Sequence, residues 1–127
     1  MRKHSNWITI LAAIILMAAA TAAPVSAHHG WSEYQDEQSE ITGTLATSVS
    51  LAGPHATAQI RVGQALWDVV LAPSTRTAAA GLTEDVIPVG ATVTASGHRH
   101  LDEETLEIKT ERLTWNRKVF DVYPERN

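Results

Sequence analysis

The chain contains no cysteine, so disulfide bridges and thiolate metal ligands are both excluded. Its two methionines, Met1 and Met17, stand at the extreme amino-terminal end and inside the one long apolar run, so the rest of the chain has no thioether ligand either. Any metal must be held by nitrogen and oxygen. Basic residues are scarce: ten Lys and Arg face fourteen Asp and Glu, and Arg2 and Lys3 precede the apolar run. A surface for nucleic acid needs clustered Lys and Arg to displace counterions, and no such cluster is present. Catalytic signatures are missing as well. There is no Gly-x-Ser-x-Gly elbow, no Gly-rich phosphate loop and no His-Glu-x-x-His helix, which points to a non-enzymatic protein.

The one long apolar run, Trp7 to Ala23, follows Met1-Arg2-Lys3-His4 and ends at Pro24-Val25-Ser26-Ala27. Basic start, apolar centre and small-residue Val-x-Ala site make a secretory signal peptide, with cleavage expected after Ala27. The competing reading is an uncleaved membrane anchor, because the run lies at the lower limit for spanning a bilayer. Cleavage leaves residues 28–127 as a periplasmic or secreted chain with no stable membrane span. That length is one domain, enough to bury a core without staples.

Alternation with a period of two dominates the chain from Glu40 onward. Ile41, Gly43, Leu45, Thr47, Val49 and Leu51 alternate with Thr42, Thr44, Ala46, Ser48 and Ser50, the pattern of a half-buried strand. Gly53-Pro54 breaks it. A second strand carries Ala56, Ala58, Ile60 and Val62 on one face, Gly63-Gln64 fits a two-residue hairpin, and a third strand directs Trp67, Val69 and Leu71 to the core. Pro73-Ser74-Thr75 then starts a short helix capped by Ser74 or Thr75 and ended by Gly81. Ala91, Val93 and Ala95 mark a fourth strand. In the fifth, Leu106 and Ile108 are out of phase with Leu113 and Trp115, which requires a bulge between Lys109 and Arg112. Phe120 and Val122 close the chain as a short strand or tail.

Three strands, a short helix and two strands is the order of an all-β, five-stranded, partly open barrel of the OB type. Another small antiparallel barrel or sandwich satisfies the same pattern. The expected organisation is a signal peptide over residues 1–27, an amino-terminal extension over 28–39 and the barrel over 40–127. The polar, acidic stretch from Ser32 to Ser39 is the one segment expected to be flexible.

Five histidines lie beyond the predicted cut: His28, His29, His55, His98 and His100. Cleavage after Ala27 makes His28 amino-terminal, and its amine and imidazole can then chelate one metal ion. A further imidazole completes a three-nitrogen set suited to tetragonal Cu(II). His29 offers a purely local mode through its own amide nitrogen and ring. His55, after Gly53-Pro54 in the first interstrand loop, is the ligand a fold would deliver. Copper is therefore the expected cofactor and zinc the alternative, with His28, His29 and His55 as ligands. His98 and His100 share a face, and the reading preferred for both is solvated strand-end residues. The competing functional class is a metal-free OB-type module that recognises a peptide, glycan or protein partner. The partner's identity is open.

The stretches "AHHGWSEY", "ITGTL", "GPHATAQI", "LWDVVLAPSTRTAAAGLTEDVIPVGATVTASGHRH" and "LEIKTERLTW" together resemble the bacterial secreted proteins grouped as domain of unknown function 6152. The resemblance implies a small periplasmic barrel of OB-like type with no assigned activity. His28, His29, Gly30 and Trp31 match that family's opening, and Pro54 and His55 match its Asn-Pro-His, with Gly53 in place of the asparagine.

Overall fold

The computed structural model describes residues 30–126. His28, His29 and the predicted leader lie outside the described residues. The elements are β1 (Ser39–Ser50), β2 (His55–Val62), β3 (Ala65–Pro73), α1 (Ser74–Ala79), β4 (Thr92–Arg99), β5 (Glu107–Trp115), β6 (Lys118–Asp121) and a final 3-10 turn, Pro124–Arg126. Antiparallel pairing runs β3-β2-β1-β4-β5-β6, and a short parallel ladder between β3 and β5 joins the two ends of the five-strand set. The result is a closed barrel of the expected OB-like kind, with the helix between β3 and β4. Among the described residues no helix is long and apolar enough to cross a membrane.

Register shifts let the strands serve two neighbours. β1 pairs with β4 through its first half and with β2 through its second, and irregularities on either side of Thr47 bend it between them. Leu45 and Val49 both face inward, as an even spacing requires, while Thr47 between them is exposed. A matching irregularity between β2 and β3 puts Leu71 and Ala72 in the core side by side. Ile60, Val69, Val93, Ile108 and Leu113 complete the interior. Each such side chain contributes about 1.5–3 kcal/mol on burial.

The β5 bulge falls within the expected window. Ser96 faces Arg112 and Gly97 faces Thr110, so Glu111 is the extra residue. The strands approach so closely there that a Cβ on Gly97 would lie 1.9 Å from the Lys109 carbonyl oxygen, which explains the glycine.

α1 departs from expectation at its start. The N-cap is Pro73, with no side-chain cap. Ser74 is already inside the helix, and its hydroxyl donates to the Gly53 carbonyl at 2.5 Å, tying the helix to the β1–β2 loop. The end is as expected: Gly81 has φ +91°, and the amides of Gly81 and Leu82 reach back to the carbonyls of Ala78 and Thr77, a Schellman closure. Asn116 and Arg117, both with positive φ, make a tight hairpin between β5 and β6, so β6 is a sixth strand added beside the barrel.

Candidate functional site on the outer face of the barrel

Because Ala56, Ala58 and Ile60 point inward, His55, Thr57 and Gln59 occupy the outer face of β2. Register carries that face around the barrel. Thr57 pairs with Val70, Val70 with Lys109, and Lys109 with His98. One row further, Gln59 pairs with Asp68 and Asp68 with Glu107, whose carbonyl accepts the His100 amide. Two outward rows, polar except for Val70, thus cross four strands.

Residues 30–38 lie over one half of these rows. The expected flexible segment is instead held as a strap: Tyr34 bridges to His100, the Gln35 amide donates to the Arg99 carbonyl, and the Leu101 amide donates to the Glu33 carbonyl. Apolar anchoring supplies the reason, since Trp31 and Tyr34 plant their rings on the β4–β5 face. Trp31 meets His98 edge-on at 5.6 Å and Tyr123 at 5.1 Å, and the Arg126 guanidinium stacks 3.8 Å from its centroid. The Tyr34 hydroxyl donates to the Glu107 carboxylate. Burial first, and that carboxylate second, raise the pKa of the Tyr34 phenol.

Under the strap, His98 is buried, which corrects the expectation of a solvated residue. The strap and the Trp31 ring cover it, and the bulge turns Glu111 toward the same covered space. His98 Nδ1 lies 2.8 Å from the Gln35 carbonyl and Nε2 lies 2.9 Å from Glu111 Oε1. Glu111 is 1% exposed and also accepts from Gln38 Nε2 at 3.2 Å and Arg126 Nε at 3.0 Å. Burial works to raise the Glu111 pKa, but hydrogen bonds from Gln38, Arg126 and His98 outweigh it and the net shift is downward. His100, by contrast, is only half-buried and accepts the Asp102 amide at Nδ1.

Lys109 is 2% exposed and is covered by the rings of Trp31 and Tyr123, its ammonium 5.4 Å and 5.8 Å from their centroids. Desolvation pushes its pKa down to about 8, against the pull of Glu107. Gly30 packs on this ammonium: a Cβ there would lie 2.7 Å from Nζ, and φ is +87°. The chain is therefore pinned to Lys109 immediately after the His28-His29 pair.

Of the three predicted ligands, only His55 is among the described residues. It opens β2, half-buried, opposite Pro73. No group of three His, Asp or Glu among the described residues is arranged to hold a metal, and His98 and His100 are engaged as above. Lys109, Glu111, Tyr34 and Gln38 carry no mark in the sequence that singles them out as site residues. The phase change in β5 is the available signal for Glu111, because a bulge re-aims the residue it inserts.

Two depressions border this face and the adjoining barrel end. A groove of about 410 Å³ crosses the uncovered half of the rows, bordered by Thr47, Ser50, Thr57, Gln59, Asp68 and Glu107. A cavity of about 480 Å³ opens at the end of the barrel between Trp67, the strap and the β4–β5 loop. No protein-family model matches the chain, and a search of curated proteins finds no match to it.

Proposed function

We propose that the protein is an exported, non-enzymatic OB-like domain that holds a transition metal, copper first, through the amine and imidazole of His28 together with His29 or His55. The kinship suggested by its motifs, to the secreted proteins grouped as domain of unknown function 6152, agrees with an exported barrel. One observation carries the proposal: Gly30 is pinned at Lys109, on the same outer face that presents His55. Lys109 and Thr57 are separated by two strand spacings, and His55 lies two residues along β2 from Thr57. The backbone separation of Lys109 and His55 is therefore about 12 Å. Two residues of extended chain reach about 7 Å, and the imidazoles of His28 and His55 extend that reach from both sides. The fold thus supports a third ligand for an amino-terminal chelate.

Intact mass of the secreted protein, with and without Cu(II), tests the reading. The expected species begins at His28 and takes up one copper ion, with Zn(II) as the next metal to try. His55→Ala should weaken Cu(II) binding at least tenfold. Equal affinity would leave only the flexible chelate of His28 and His29, and a chain starting at another residue would remove the amine ligand.

A second reading is favoured by the cavity at the barrel mouth. The β4–β5 loop of an OB barrel frames its binding face, and Trp67 stands beside that loop here. In this reading the protein is a metal-free interaction module for a peptide, glycan or protein partner. Its mark is ligand binding that shifts the Trp67 indole N–H signal in the presence of a chelator and is indifferent to His55→Ala.

A further inference from the structure

The cavity at the barrel mouth has an unusual distribution of charge. Arg99, at the end of β4, lays its guanidinium over the Trp67 ring, 5.0 Å from the centroid. Stacking of this kind holds the guanidinium plane in place and leaves its edge donors directed outward. Glu37 of the strap and Glu103 of the β4–β5 loop line the same cavity. Among the described residues, no ion pair joins Arg99 to either carboxylate. One fixed cation and two carboxylates thus surround a polar space without neutralising each other.

Other groups complete the lining. Gln35 directs its amide nitrogen to the His100 carbonyl at 3.2 Å. Thr105 donates to Asp102 at 3.2 Å, and the same Asp102 carboxylate accepts the Glu104 amide, so the loop is braced by its own turn. The site is therefore built from three separate segments, strap, strand end and loop, each fixed by hydrogen bonds of its own. Its volume of about 480 Å³ falls in the range of small-molecule sites, roughly 300–1,000 Å³, and barrel mouths are a usual place for them.

We infer that this cavity binds a zwitterionic α-amino acid or the matching ends of a short peptide, with the ligand carboxylate on Arg99 and its ammonium on Glu37 and Glu103. A guanidinium binds a carboxylate through two parallel hydrogen bonds, and the Trp67 platform keeps Arg99 from turning to its own glutamates. A neutral sugar would use Trp67 as a stacking surface, but Arg99 covers that ring. A polyanion would meet two carboxylates. The inference rests on reading the barrel mouth as a binding site and is independent of the metal.

Titration of the mature protein with L-alanine, followed by the Trp67 indole N–H signal in a chelator-containing buffer, tests it. N-acetyl-L-alanine lacks the ammonium and L-alaninamide lacks the carboxylate, and each should bind at least tenfold more weakly. Arg99→Gln should remove the preference for the free carboxylate, and Glu37→Gln with Glu103→Gln should remove the preference for the free amine. All three residues are at the surface or rim, and an unchanged spectrum elsewhere confirms the fold of each variant. If N-acetylglucosamine shifts the signal and L-alanine does not, the ligand class is wrong while the mouth remains a binding site. If no probe shifts it up to the highest soluble concentration, both the ligand class and the binding-site reading fall.

Discussion

The outer face of the barrel is one continuous polar surface divided into two halves with opposite fates. Over β4 and β5, the strap and the carboxy-terminal turn cover His98, Lys109 and Glu111, which become as buried as the apolar core. Over β2 and β3, Thr57, Gln59 and Asp68 carry the same outward parity but line an open groove. A strand's alternation says which side chains leave the core. It does not say whether water or another segment of the chain receives them.

Breaking the cover should have the largest effect. Trp31→Ala removes the ring that meets His98, Tyr123, Lys109 and Arg126. It is expected to cost about 3 kcal/mol in urea unfolding, within the range for large aromatic truncations, and to raise amide exchange along residues 30–38.

Glu111→Gln should come next, at about 2 kcal/mol at pH 7, because a buried acceptor of three hydrogen bonds loses its charge. The folded-state pKa of Glu111 is depressed below its ordinary 4.5. Its contribution is thus present above pH 4.5 and is lost as pH falls through the folded value. Stability of the parent measured from pH 7 downward should decline in that window, and the Gln variant should decline less. Equal slopes would mean that the carboxylate is not what the covered space recognises.

Lys109→Met has the opposite sign. A folded pKa of about 8 against 10.5 means the protonated amine destabilises the folded state fully below pH 8. The cost fades as pH rises from 8 to 10.5, where the unfolded chain holds more protons. The parent should therefore gain stability from this residue across that window. Lys109→Met should be more stable by about 2 kcal/mol at pH 7, as replacement of buried charge by apolar volume often is. A destabilised variant would show that the ammonium serves the chain segment pinned beside it.

The smallest effect belongs to the open half. Thr57→Ala, outside the strap, should change stability by less than about 0.5 kcal/mol in the same unfolding assay. An effect as large as that of Trp31→Ala would erase the distinction between the halves.

Much of the barrel is legible in the sequence because its signals are local. Alternation in β1 to β4, the Gly63-Gln64 hairpin, the Gly81 helix end and the phase change at Lys109 to Arg112 each depend on a few neighbouring residues. The Asn116-Arg117 turn is local too, but Asn-Arg is a weaker hairpin signal than Asn-Gly, and β6 reads only as a strand or tail. Ser74, an expected cap, lies one position inside the observed cap Pro73, enough to make its hydroxyl a loop tie in place of a cap.

The site is less legible. His55 can be placed from Gly53-Pro54 and strand parity, whereas His98 reads as an ordinary strand-end residue between Gly97 and Arg99. Its burial depends on Trp31 and Arg126, both far from it in the sequence. The sequence by itself determined the strand phases, the helix exit and the bulge, because hydrophobic periodicity and glycine act within a few residues. Only the tertiary structure decided which outward-facing polar groups are covered, because that cover is contributed by residues 30–38 and 123–126 meeting across β5. No period of two or of 3.6 encodes such a meeting.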